Sequence, residues 1–341
     1  MRSIIIAEAG VNHNGDIDLA RRMVVAARRA GADYVKFQTA VPELVISSIA
    51  PKAEYQKDLT GAEESQLDMC RAIHLPLSDY AGLKALCEEE GIGFMSTPFD
   101  LESIRLLHEL GQDYFKIPSG EITNLPYLRT IARCGRKVIL STGMSDMSEI
   151  EDAIAILTST HPLYPSESSL TLNDIIVLHC NTQYPTPYED VNLRAMLTMR
   201  ERLGVATGYS DHTLGLAVPV AAAALGACVI EKHFTLSRSM KGPDHKASLE
   251  PDELRMMVEM IRQTELALGS AQKCVSPSER PNIEVARKSI VASRNVRKGE
   301  ILSSDNITVK RPGGGVSPML WDKVVGTAAI RDFGYDELIE L

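Results

Sequence analysis

GYSDHTLGLAVPVAAAALGACVIEKHFT, residues Gly208–Thr235, is the stretch whose reading decides the fold. VATGYSDH is expected to be a strand ending in Ser210-Asp211-His212, and ACVIEKHF the next strand, ending in Glu231-Lys232-His233. The run TLGLAVPVAAAALGA between them is apolar at helical spacing, with Gly226 as its stop. A strand-helix-strand unit lays its two strands side by side and parallel, so His212 and His233 reach the same edge. Two imidazoles beside carboxylates make half of a metal site. The competing reading is a pair of unrelated core histidines.

Working outward, the same alternation repeats. SIIIAE, ADYVKFQT, GFMSTPF, DYFKIPSGE, KVILSTGM and DIIVLHC read as six further strands. Helices are expected at about 16–30, 77–90 (capped by Ser78), 101–110, 126–134, 148–159 (capped by Ser148), 193–202 and 251–268. Residues 41–61 read as an irregular loop over a site. Eight strand-helix units in about 270 residues fit a (β/α)8 barrel better than a doubly wound sheet. Chemistry in such a barrel sits at the carboxyl ends of the strands. Those ends here carry Glu8, Asn12 and His13; Lys36 and Gln38; Ser96 and Thr97; Lys116, Ser119 and Glu121; Ser141 and Thr142; Asn181, Thr182 and Tyr184; Ser210, Asp211 and His212; and Glu231 with His233. Apolar strand bodies with polar ends predict one polar mouth.

The chain has 341 residues, 44% of them hydrophobic, enough for a large core and a small second domain. A net charge of -9 argues against nucleic acid as the main partner, though not against a basic pocket for an anionic small molecule. The six cysteines are widely spaced without a CxxC pair, which suits free thiols in a cytoplasmic protein. The N-terminal apolar run is too short for a signal peptide, and no segment approaches a membrane span. The expected organisation is a barrel domain over 1–269, a polar linker over 270–284 and a small domain of short strands over 285–341.

Within the mouth, Lys36 and Lys116 with Thr97, Ser119, Ser141, Thr142 and Ser210 form a candidate anion cradle, since ammonium groups supply charge and hydroxyls supply directed hydrogen bonds. The alternative for each lysine is a salt bridge to a neighbouring carboxylate. Glu8, Glu121, Asp211, Glu231 and Asp244 are candidates for acid–base work or support. Asp211 and Glu231 fit equally well as orienters of an imidazole or as groups facing the barrel wall. No Walker-type or GxGxxG loop is present, so a nucleotide is not favoured.

Together, AEAGVNHNG, VKFQT, STPFD, KIPSGE, LSTGM, HCNTQYPTPYEDV, GYSDHT, EKHFT, GPDHKAS and VKRPGGG resemble the sialic acid synthase family. That family condenses phosphoenolpyruvate with an N-acetylated hexosamine. The resemblance implies a TIM barrel with a small C-terminal antifreeze-like (SAF) domain, in a domain-swapped homodimer. It further implies that His212 and His233 hold a divalent metal, typically Mn2+, and that Lys36, Thr97, Lys116, Ser119, Ser141 and Ser210 hold phosphoenolpyruvate. Asn181 is carried over to the same substrate, in a family position that some members shift by one residue. Gln38, Tyr184 and Asp244 would contact the sugar, and Arg311 would reach its N-acetyl group from the partner subunit. Glu8 and Glu121 are the expected catalytic carboxylates. HCNTQYPTPYEDV and IAPKAEYQ favour N-acetylmannosamine as acceptor, with a 2,4-diacetamido-trideoxyhexose, giving legionaminic acid, as the alternative. Rivals of other classes are a metal-dependent barrel hydrolase and a C-terminal module that binds ice or saccharide.

Overall fold

The computed structural model describes residues 2–47, 49–50 and 65–341. It divides into two compact units, Met1–Gly269 and Ser270–Leu341. The first holds eight parallel strands: β1 (Ile4–Gly10), β2 (Tyr34–Thr39), β3 (Gly93–Pro98), β4 (Tyr114–Ile117), β5 (Lys137–Ser141), β6 (Ile175–His179), β7 (Ala206–Asp211) and β8 (Val229–His233). They pair in the order β3-β2-β1-β8-β7-β6-β5-β4, which is a TIM-type barrel with a seam between β3 and β4.

That seam has its own closure. Gln112, buried just ahead of β4, accepts from the Ser96 backbone N–H at 3.0 Å and donates to the Ser96 carbonyl at 3.3 Å. One side-chain amide thus supplies the two bonds that a ladder residue would make. Below it, the Tyr34 hydroxyl donates to Asp113 at 2.9 Å, and the Tyr34 and Tyr114 rings meet edge to face at 5.9 Å.

The two-residue period of a strand decides what each face does. Ile5, Ala7, Val35, Phe37, Phe115, Val138, Leu140, Val177 and Ile230 point outward into the core under the helices. Ile6, Met95, Ile139, Leu178 and Val229 point inward and plug the barrel floor. Gly208 belongs to this inner layer, because a Cβ there would lie 2.4 Å from the Val229 carbonyl oxygen and 2.7 Å from Leu178 Cδ2. Two residues beyond the plug, on the same inward face, stand Glu8, Lys36, Thr97, Lys116, Ser141, Ser210 and Glu231. The mouth is therefore the next layer of the same alternation.

Helices follow the strands as the sequence implies, with small shifts of boundary. Ile17–Ala30 is capped by Asp16, whose side chain accepts from the N–H groups of Asp18 and Leu19. Met147–Leu157 is capped by Asp146, in a reciprocal box with Glu149, and not by Ser148. Ser78 occupies the cap position of Asp79–Glu90 without a side-chain cap bond. The region expected to be irregular opens with a helix, Pro42–Val45, and residue 48 and residues 51–64 lie outside the described residues. Most of IAPKAEYQ falls there. Gln66–Ile73 is a further helix, capped by Ser65, that the alternation did not announce.

The second unit contains the antiparallel pair β9 (Ser289–Ala292) and β10 (Ile307–Lys310) and a helical turn, Trp321–Val324. Isolated bridges at Val291–Leu338, Val296–Phe333 and Ile301–Ala328 knit the rest around a core of Ile290, Val296, Leu302, Ile307 and Phe333. Among the described residues, no helix is long and apolar enough to cross a membrane.

Candidate active site

Four buried charges fill the centre of the mouth. Lys36 on β2 reaches Glu8 Oε2 on β1 at 2.8 Å, Glu231 Oε1 on β8 at 3.5 Å and the Thr97 hydroxyl at 2.9 Å. Lys116, across the barrel on β4, donates to the same Glu231 Oε1 at 3.2 Å, and so does the Ser210 hydroxyl at 3.3 Å. All four charged side chains are at most 4% exposed. Burial pushes the Glu8 carboxyl up and outweighs the attraction of Lys36. Burial also works against charge on Glu231, but Lys116 and Lys36 together outweigh it and hold that carboxyl low. For Lys36 the two carboxylates overcome burial and raise its pKa, whereas for Lys116 burial prevails and lowers it.

Around these charges lies a cavity of about 190 Å3, lined by Glu8, Lys36, Gln38, Thr97, Lys116, Ser119, Ser141, Tyr184, Ser210, His212, Glu231 and His233, with Phe99, Pro118, Gly120, Met144, Cys180 and Thr182 completing the wall. Gln38 donates to Glu8 Oε1 at 3.2 Å. Ser119 Oγ accepts from the Gly143 N–H at 3.0 Å and lies 3.3 Å from Cys180 Sγ. The two lysines and the hydroxyl residues Thr97, Ser119, Ser141 and Ser210 thus line one space, as an anion cradle requires, whereas Thr142 lies outside it and donates to the Leu178 carbonyl oxygen at 3.0 Å.

At one side of the cavity the His212 and His233 rings lie with centroids 5.4 Å apart, their planes tilted by 58°. Burial lowers the pKa of His212 to about 4 and, with His212 nearby, holds His233 well below its ordinary value, so both imidazoles are neutral. His212 Nδ1 donates to the Asn181 carbonyl oxygen, which leaves Nε2 as the lone-pair nitrogen. The Tyr184 hydroxyl donates to that nitrogen at 3.0 Å, and its ring lies 4.1 Å from the imidazole. His233 Nδ1 is buried with no hydrogen-bond partner, and Asp244 Oδ2 stands 3.9 Å away. No group of three or more His, Cys, Asp or Glu side chains suited to a metal occurs among the described residues. The donor set is nonetheless that of a borderline divalent cation with open positions: two neutral imidazoles, one oriented by a carbonyl and one with an orphan nitrogen.

Behind the histidines the same strands show their other face. Asp211 and Lys232 are register partners, both wholly buried, and Lys232 Nζ binds Asp211 Oδ2 and the Thr213 carbonyl oxygen. Asp211 Oδ1 also accepts from the Thr213 N–H at 3.1 Å, so the pair fixes the turn that carries His212. Of the two readings open for Asp211 and Glu231, the wall-facing one fits Asp211, and Glu231 binds lysines in the mouth.

Four expected site residues sit outside this cavity. Glu121 is the third residue of a tight turn, Ser119–Glu121, at three residues per turn. With Ser119 facing the cavity, Glu121 swings away and accepts from Asn124 Nδ2 at 2.6 Å, so it does not line the cavity. Asn181 also lies outside that cavity, because the inward positions here belong to Cys180 and Thr182. Its Oδ1 accepts from the Gln183 N–H at 2.7 Å, and it is the Asn181 backbone carbonyl that meets His212. Asp244 lines an adjoining chamber beside His233, where burial lifts its carboxyl to about 6. Arg311 belongs to the second unit, where it is exposed. Continuing the two-residue period past Leu178 points to Cys180, and past Ile230 to Lys232, so both were recoverable from the sequence.

Lys232→Met should strand a buried Asp211 charge and cost about 3–5 kcal/mol of stability in urea unfolding. Asp211→Asn combined with Lys232→Met should recover much of that loss. A double variant no more stable than the single one would contradict the pairing.

Residues 23–273 match the NeuB family and residues 287–340 match the SAF domain. An N,N'-diacetyllegionaminic acid synthase of Campylobacter jejuni is 49% identical over 99% of this chain and 99% of its own length. One of Legionella pneumophila is 44% identical over 96% and 90%. The crystal structure of an N-acetylneuraminic acid (sialic acid) synthetase from Leptospira borgpetersenii, in complex with citrate, is 33% identical, covers 83% of this chain and 91% of its own, and superimposes with a TM-score of 0.70. The chain therefore belongs to the NeuB family of sialic acid synthases and is a condensing transferase of that class.

Proposed function

We propose that the protein condenses phosphoenolpyruvate with 2,4-diacetamido-2,4,6-trideoxymannose to give N,N'-diacetyllegionaminic acid and phosphate. The observation that carries the acceptor is identity: relatives at 49% and 44% are N,N'-diacetyllegionaminic acid synthases, against 33% for the N-acetylneuraminic acid synthetase. The motif likeness that favoured N-acetylmannosamine rests on two short stretches and is the weaker guide beside identity over 338 residues.

In this reading Lys36 and Lys116 bind the phosphate and carboxylate of phosphoenolpyruvate, and Thr97, Ser119, Ser141 and Ser210 complete its hydrogen bonds. Glu231 holds the two ammonium groups in place until the substrate arrives. Carbon 3 of the enol attacks the acceptor aldehyde, water adds at carbon 2, and phosphate leaves with its bridging oxygen. His212 and His233 would hold a divalent cation, Mn2+ by family resemblance, which supplies Lewis-acid polarisation of a carbonyl when bound. Gln38, Tyr184 and Asp244 orient the sugar beside these imidazoles, and Glu8 exchanges protons with its hydroxyls as the open-chain form presents its aldehyde. Fixing two substrates in one cavity removes an entropic barrier that reaches about 7–11 kcal/mol for well-oriented partners. Glu121, turned away from the cavity, has no step here. The protein is cytoplasmic in this reading.

Phosphate release should require both phosphoenolpyruvate and the diacetamido sugar, and the mass of the product should be that of diacetyllegionaminic acid. Release with N-acetylmannosamine alone would return the acceptor to the neuraminate reading, and release without any sugar would point to a hydrolase.

Arg311 is proposed to reach the acceptor from the partner subunit of a domain-swapped homodimer, a reading supported by family resemblance and the SAF match. Arg311→Ala and His212→Ala should each be inactive alone, yet co-assembled should recover about a quarter of wild-type activity, because half the dimers are mixed and one site in each is intact. No recovery in verified mixed dimers would place the Arg311 contribution within one chain or nowhere.

A further inference from the structure

Beside the anion cavity opens a larger chamber of about 530 Å3, and Gln38, Phe99, Tyr184 and His233 line both spaces. The shared end is polar, with Gln38, His233 and Asp244. The far end has a different chemistry. The helices Pro42–Val45 and Gln66–Ile73 bring Val45, Ile46, Met69 and Ile73 to its wall. Arg71 clips the two helices together, 2.7 Å from Glu43 Oε1 on one and 3.0 Å from Asp68 Oδ1 on the other. Ser47, Gln66 and the His74 ring interrupt this apolar wall. His74 lines the chamber, and its Nδ1 lies 2.9 Å from the Cys70 carbonyl oxygen. Burial lowers the pKa of His74 and so favours the neutral ring. A neutral ring that donates through Nδ1 has an acceptor at Nε2.

Apolar side chains set among hydrogen-bonding ones match an acetamido group, which carries a methyl, a carbonyl oxygen and an N–H. The aldehyde of the acceptor belongs at the shared end near the imidazoles, so this wall meets the opposite part of the sugar. N-acetylmannosamine has a hydroxyl where the diacetamido sugar has its second acetamido group, and a hydroxyl leaves such a wall uncovered. We propose that Ile46, Met69 and Ile73 hold the methyl of the acceptor's second acetamido group while His74 Nε2 accepts its N–H, which makes these residues the selector between one-acetamido and two-acetamido sugars. The inference rests on the diacetamido reading given above.

The test compares kcat/KM for 2,4-diacetamido-2,4,6-trideoxymannose and for N-acetylmannosamine, with KM for phosphoenolpyruvate as the internal control. Ile73→Asn and His74→Phe should each raise KM for the diacetamido sugar about tenfold or more, and lower the ratio of the two kcat/KM values by a similar factor. KM for phosphoenolpyruvate should stay at its wild-type value. Ile73→Val, which keeps the wall apolar, should keep the wild-type ratio. An unmoved ratio in the first two variants overturns the subsite, whether turnover falls for both sugars or for neither. A wild-type enzyme that turns over only N-acetylmannosamine overturns the acceptor reading and this subsite with it. A wild-type enzyme that uses the diacetamido sugar, with a ratio unmoved in the variants, overturns the subsite alone.

Discussion

One carboxylate oxygen, Glu231 Oε1, accepts from Lys116 and Ser210 and sits within ion-pair reach of Lys36, at the centre of a barrel mouth whose charged side chains are almost wholly buried. Desolvating a carboxylate or ammonium costs several kcal/mol per ion, and mutual attraction repays it only when the geometry is well satisfied. Here it is satisfied on one side only. Glu231 Oε2 and His233 Nδ1 are both buried without partners. Two unpaired polar atoms at the end of one strand, β8, describe a site organised for groups that arrive later. An incoming dianion would find two lysines already desolvated and already aimed, so the cost of ordering them has been met in folding.

The strand period connects this arrangement to the fold. On β7 and β8 the inward residues Ser210, Glu231 and His233 serve the mouth, and the outward residues Asp211 and Lys232 close a buried ion pair directly behind. A slip of one residue in either strand would exchange the two sets. The pair and the turn it fixes therefore locate His212 as firmly as the apolar floor locates the lysines. The outer chamber is built otherwise, from two short helices joined by one ion pair at the surface, Arg71 to Glu43, which is the part of a barrel where acceptor preference can change without disturbing the floor.

Much of this was legible in the chain. Alternating strand and helix patterns gave the barrel, and polar strand ends gave Glu8, Lys36, Gln38, Thr97, Lys116, Ser141, Ser210, His212 and His233, all of which line one cavity. What escaped depended on conformation after the strand ends. Glu121 looked inward until the turn at Ser119–Glu121 took a three-residue period. Asn181 looked like a ligand by motif, although its neighbours Cys180 and Thr182 hold the inward positions. Ser148 and Asp146 are both good cap residues, and only the reciprocal bond from Glu149 favours Asp146. The closure of the seam by Gln112 is a contact between elements, and no local pattern encodes it.

A crystal of the full chain grown with Mn2+ and phosphoenolpyruvate tests the central claim most directly. The account predicts an anomalous manganese peak shared by His212 and His233, with phosphate and carboxylate oxygens within hydrogen-bond reach of Lys36 and Lys116 in the same cavity. Manganese bound away from both histidines, or phosphoenolpyruvate bound without either lysine, would contradict it.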